Sequence, residues 1–131
     1  MNLPYIIDFP VYGSAPDGFL SFAETGGQIP FDIKRTYWIY GNLNNTTRGG
    51  HAHKKGGQVL IAFGGNIIVN LTSQSGEEKQ FILNSPEKGL YLPGKYWRNV
   101  IMSEHSVLVC LASEAYDPEN YISDFNEFLN A

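Results

Sequence analysis

The stretch Arg48-Gly49-Gly50-His51-Ala52-His53-Lys54 carries the densest chemistry in the chain. Along a β-strand, residues i and i+2 point to the same face, so His51 and His53 project together while Ala52 faces away. Two imidazoles side by side serve as metal ligands or as acid/base groups, because imidazole titrates near neutral pH. A pair of ordinary surface or hydrogen-bonded histidines is the plain alternative; the flanking glycines and Arg48 favour function. A second segment alternates in the same way: Ile33, Arg35, Tyr37 and Ile39 on one side, Lys34, Thr36, Trp38 and Tyr40 on the other. If the odd face joins the histidines, Tyr37 can move a proton without a metal and Arg35 can hold an anion. Structural readings stand beside these, with Tyr37 as core packing and Arg35 paired to a carboxylate such as Glu24.

These groups need a scaffold, and the composition says which kind. The chain has 131 residues, the size of one domain, so residues 1–131 are read as a single unit. It is 43% hydrophobic and 17% charged, enough apolar material for a core and too little charge for a disordered protein. Fourteen glycines, seven prolines and eighteen aromatics point to short strands and turns. Strands are expected at 5–9, 18–24, 33–40, 50–54, 58–63, 66–71, 78–83, 89–92, 98–101 and 107–112. The runs 59–63 and 107–112 are apolar on both faces, as in central strands covered on both sides. Gly64-Gly65 and Ser75-Gly76 read as tight hairpin turns. One C-terminal helix is expected, with Asp117 as N-cap, Pro118 in its first turn and an apolar stripe of Tyr121, Ile122, Phe125, Phe128 and Leu129.

A net charge of −4 and no basic cluster larger than Lys54-Lys55 argue against nucleic acid as a partner. The single cysteine, Cys110, removes a disulfide framework and reads as a small buried hydrophobe. No apolar run approaches membrane-spanning length and the start of the chain has no leader pattern, so no membrane partner and a cytoplasmic location are expected.

His-x-His in an all-β chain of this size resembles the first motif of the cupin superfamily, whose barrel is a double-stranded β-helix. Metal-binding cupins place a Glu a few residues later and a third His in a later turn. Here Gln58 holds the first position and Trp97 the second. Two imidazoles are a thin set for a catalytic divalent ion, which usually takes three protein ligands, and no metal is expected.

Longer pieces resemble one cupin family, the dTDP-sugar 3,4-ketoisomerases of deoxysugar and surface-polysaccharide biosynthesis. They are 29–37, 48–55 with Gln58, 84–92, Tyr96-Trp97-Arg98, 109–114 and the tail from Tyr116 to Leu129. The resemblance covers nearly everything from Gly18 onward. It implies an all-β cupin jelly-roll barrel with a short C-terminal α-helix. It also implies isomerisation of dTDP-4-keto-6-deoxy-glucose to its 3-keto isomer through an enediol, with no cofactor. Position by position, His51 is then the main base, Tyr37 and His53 relay or return the proton, and Arg35, Arg48 and Arg98 orient the sugar or its phosphates. Gln58 and Trp97 are further candidates at the substrate, Trp97 by stacking on a base or sugar, with core packing as its plain alternative. Family members are dimers, often with exchanged N-terminal strands, so the strand at 5–9 is expected to cross to a partner. One position departs from the pattern: Asp17-Gly18 stands where the family commonly has Arg-Gly, and an anion there repels a diphosphate. A different substrate, a replacement arginine or lost catalysis would each account for it. A metal-dependent cupin and a non-catalytic sugar-binding cupin therefore remain alternatives.

Overall fold

The structure, a computed structural model, describes residues 2–131. The strands are β1 (Tyr5–Asp8), β2 (Tyr12–Ser14), β3 (Gly18–Leu20), β4 (Arg35–Ile39), β5 (Thr46–His53), β6 (Gly57–Gly64), β7 (Ile67–Ser73), β8 (Glu78–Leu83), β9 (Lys88–Pro93), β10 (Tyr96–Met102), β11 (Val107–Ala112) and β12 (Tyr121–Ile122). One α-helix, α1 (Phe125–Leu129), follows.

Two five-stranded antiparallel sheets form the body, in the orders β1-β9-β6-β11-β4 and β12-β5-β10-β7-β8. The pairs β7·β8, β6·β9, β5·β10 and β4·β11 are those of one long antiparallel ribbon, folded back on itself and wound so that successive rungs alternate between sheets. This is the jelly-roll barrel of the cupin fold. Its tip is the hairpin turn at Ser75-Gly76, where Gly76 has φ of 89°. Gly64-Gly65, by contrast, is not a hairpin turn. It is a corner carrying the chain between sheets, since β6 and β7 do not pair.

Inward-pointing residues of both sheets, among them Leu60, Leu90, Leu92, Ile67, Val69 and Leu71, meet in one apolar core that plugs part of the barrel. The doubly apolar run in β6 is explained by its outer face. There Val59 and Ile61 pack against Ile7, Phe9, Ile29 and Tyr91, so the N-terminal segment forms a second core outside the first sheet. β1 makes this possible by pairing with β9 of the same chain, Tyr5 opposite Tyr91.

The tail differs from the single helix expected. Asp117 does act as a cap, accepting from the Glu119 N–H, but it caps only a 3₁₀ turn at Pro118–Asn120. Two extended residues follow, and a second cap, Asp124, starts α1. Tyr121 and Ile122 leave the helix because they pair with His53 and Ala52, extending the sheet. Among the described residues no helix is long and apolar enough to cross a membrane.

Candidate active site

Register places the chemistry. Tyr121 stands opposite His53 across β12·β5, and Arg98 stands opposite His51 across β10·β5. Tyr37 stands opposite Cys110 across β4·β11. Paired residues share a face, so all of these side chains converge at the end of the barrel that the apolar core leaves open.

A bulge sharpens the convergence. Between Arg98 and Asn99 the register of β5 shifts by one residue, with Gly49 at φ 102° and Gly50 at φ 71°. Only glycine takes these angles without strain, and a Cβ on Gly49 would lie 2.7 Å from the Arg98 carbonyl oxygen. The glycines flanking the histidines thus turn His51 alongside Arg98.

A cleft of about 340 Å³ opens at this end, and Arg35, Tyr37, Arg48, His51 and Arg98 all line it. Its floor is apolar, with Leu60, Val100, Leu108 and Cys110. His53 sits one layer back. It is 5% exposed, its ring centroid lies 5.3 Å from that of His51, and Tyr121 covers it edge-on at 4.6 Å. Gln58 is also behind the lining at 1% exposure, its carbonyl oxygen accepting from Arg98 Nη1 and, at 3.3 Å, from the Tyr37 hydroxyl.

Of the two readings of Trp97, the structure shows the packing one. Alternation on β10 turns Arg98 inward and Trp97 outward, where it packs with Ala52, Ile122 and Phe128. It meets the edge of Phe125 at 5.3 Å, so it anchors the tail and does not reach the cleft. Arg35 does not pair with Glu24; its Nη2 donates to the Tyr121 hydroxyl at 3.4 Å and its guanidinium lies over the Tyr37 ring at 5.0 Å. Two residues were missed from the sequence: Tyr121, and Tyr116, which lines the cleft mouth beside Arg35. The signal for Tyr121 was the second cap pair, Ser123-Asp124, which implies an extended stretch between two short turns.

The electrostatics follow from burial beside cations. Burial first, and then the positive Arg98, lower the His51 pKa to about 4. Burial followed by Arg98, His51 and Arg35 lowers His53 to about 3. Both imidazoles are therefore neutral at pH 7. Burial pushes the Tyr37 phenol above its ordinary value, so it keeps its proton. Burial also raises the Cys110 thiol to about 11, which leaves no thiolate at neutral pH. Arg98 is 4% exposed, and no carboxylate pairs with it among the described residues. A neutral imidazole, a protonated phenol and an uncompensated guanidinium thus share one cleft with two further arginines.

Asp17, the residue that departs from the family pattern, lies in the β2–β3 turn, accepting from the Ser14 hydroxyl at 3.3 Å, and is not among the cleft-lining residues.

Comparison with known proteins gives the family. The family model described as "WxcM-like, C-terminal" (FdtA) matches residues 2–131. A TDP-4-oxo-6-deoxy-alpha-D-glucose-3,4-oxoisomerase of Aneurinibacillus thermoaerophilus is 37% identical over 112 residues, 85% of this chain and 80% of the relative. The chain belongs to the TDP-sugar 3,4-ketoisomerase family. Among solved ketoisomerases, QdtA of Thermoanaerobacterium thermosaccharolyticum, determined with TDP, superposes with a TM-score of 0.90 at 38% identity, covering 97% of this chain and 92% of that one. A histidine-to-asparagine variant of the same ketoisomerase was solved with TDP-4-keto-6-deoxyglucose. WlaRB of Campylobacter jejuni, a TDP-quinovose 3,4-ketoisomerase, gives 0.91 at 33% identity over 100% of both chains.

Proposed function

We propose that this ketoisomerase interconverts TDP-4-keto-6-deoxy-glucose and its 3-keto isomer with its own side chains as the proton carriers. The observation that carries the reading is the pairing of His51, a neutral imidazole, directly opposite Arg98, a buried cation, both open to the cleft. His51 takes the hydrogen from C3, whose bonding pair becomes the C3=C4 double bond while the C4 carbonyl pair moves onto oxygen. That oxygen gains a proton to give an enediol. The C3 hydroxyl then releases its proton, C3=O forms, and C4 receives a proton at carbon. Arg98 faces the oxygen that carries the developing charge, and Tyr37 supplies or returns a proton. His53 stands behind His51 as a relay position. Arg35 and Arg48 take the diphosphate, and replace in this role the arginine for which Asp17 is substituted.

The donor set does not suit a divalent ion. Gln58 already gives its oxygen to a guanidinium, whose charge stands where a cation would have to approach, and Trp97 points elsewhere. The enzyme works as a cytoplasmic homodimer. Exposed Tyr12, Phe19, Leu20 and Phe22 on and beside the β2–β3 hairpin are the apolar surface that a second copy covers, and exchange of β1 would repeat the β1·β9 ladder between copies.

The test is formation of the 3-keto product from TDP-4-keto-6-deoxy-glucose in deuterated buffer with a chelator present. Turnover with deuterium entering the sugar ring is expected; binding without exchange would mark a sugar-binding protein instead. The pH profile should show the depressed histidine. kcat/KM stays level from roughly pH 5 to pH 8 and falls on the acid side around His51's own value of about 4. Stability moves in the same direction. The unfolded histidines titrate near 6.5 and the folded ones lower, so the stabilisation present above the unfolded value is lost as pH falls through 6.5 toward the folded values of about 4 and about 3.

A further inference from the structure

Gln58 was expected to touch substrate, and the structure places it behind the cleft lining. It sits on β6 between Ala112 of β11 and Leu92 of β9, 1% exposed. A guanidinium has no acceptor, so the amide must present its oxygen to Arg98, and the same oxygen receives the Tyr37 hydroxyl. The amide nitrogen is left without a protein partner.

We propose that Gln58 is a positioning residue: its uncharged amide fixes the Arg98 guanidinium and the Tyr37 phenol on one atom while leaving the guanidinium's charge free for the anion formed during turnover. The proposal rests on the isomerase reading above. Two physical points carry it. A Glu at this position would fill the same volume, accept from the same two donors and form a buried ion pair with Arg98, so the geometry alone does not explain an amide. A buried cation with only a neutral partner is costly for folding, and the cost has a use only if an anion arrives. The three charged groups that share the cleft with His51 are Arg35, Arg48 and Arg98, and none is an acid. Its remaining titratable neighbours there are Tyr37, Cys110, Tyr116 and Tyr121, with His53 behind.

Gln58→Glu and Gln58→Met separate the two halves of the proposal. Gln58→Glu keeps both hydrogen bonds and cancels the charge. It should melt higher than the wild type and lose about 100-fold in kcat with KM within about threefold. Its His51 ring should titrate above about 4, because the field of Arg98 is neutralised. Gln58→Met removes the shared acceptor at nearly constant volume. It should lose at least about tenfold in kcat without raising the His51 titration. A Gln58→Glu enzyme within threefold of wild-type kcat overturns the requirement for a free charge, and a Gln58→Met enzyme within threefold overturns the positioning role. If the wild type itself gives no product, the isomerase reading fails. The NMR titration of His51 then still decides: an unchanged value in Gln58→Glu overturns the proposal, and a raised one upholds the uncompensated charge.

Discussion

His51→Asn should leave a folded protein that binds TDP as the wild type does and isomerises at least ~10³-fold more slowly, within the range a single acid/base group supplies. The argument is geometric before it is electrostatic. Of the two histidines only His51 lines the cleft, and His53 reaches it only through His51 and Tyr121. A base must be unprotonated at working pH, and burial together with Arg98 secures that here. Asparagine approximates the volume and polarity of the imidazole but cannot accept a carbon-bound proton. The decisive measurement is loss of hydrogen from C3 in deuterated buffer, followed by NMR. If His51→Asn retained exchange within tenfold of the wild type, another group would be the base and Tyr37 would be the next candidate. His53→Asn in parallel should cost less, since it removes a relay and not the group at the sugar.

Arg98→Met should push stability and activity in opposite directions. A guanidinium that is 4% exposed, with one neutral hydrogen-bond acceptor and no carboxylate, loses most of its hydration on folding. Burial accordingly lowers its pKa. Methionine fills a similar channel between β7 and β5 without that penalty. A gain of about 1–3 kcal/mol is expected, by analogy with buried ionic groups replaced by apolar ones. In a chain of this size that raises Tm by about 3–10 °C. Turnover should fall by about 10²–10³-fold, the loss associated with removing one donor to a developing oxyanion. Calorimetry and the isomerase assay on the same preparation check both halves. A variant that melts lower than the wild type would show that Arg98 holds the barrel together, which the reading does not allow.

How far the sequence reached depends on whether local pattern or distant register decided the outcome. Alternation alone put His51 and His53 on one face, and Arg35 and Tyr37 on another single face. Strand periodicity is a local property, and the fold preserved it. Alternation also held the key to Trp97: adjacent to Arg98 on one strand, it had to face the other way if Arg98 faced in. Tyr121 was hidden for a different reason. Its apolar spacing with Phe125 and Phe128 fits a helix, and only pairing with His53, distant in sequence, pulls it into a strand. Gly64-Gly65 failed in the same manner. A glycine pair between two strands reads as a hairpin, yet the two strands belong to different sheets. Gln58 lies behind the cleft lining and not in it, a placement hidden from the sequence because burial cannot be read from a residue type. Asp17 drew attention through its charge, but its turn lies outside the cleft lining.

The wound ribbon also sets an order of assembly. Its tip, β7 and β8, closes across only Gln74–Glu77, whereas β4 and β11 are separated by the whole of residues 40–106. Closing the short loop first and zipping outward keeps each later rung close to one already formed, while starting from β4·β11 would carry the full entropy of a long loop. The cleft-lining His51, Arg98 and Tyr37 sit on the rungs that join last, β5·β10 and β4·β11, with β12 laid on afterwards. The edge strands β12 and β4 should therefore open locally before the internal strand β7. Native-state hydrogen exchange should show it: amides of β12 and β4 exchange ahead of those in β7, and equal protection across the ribbon would mean the barrel opens only as a whole.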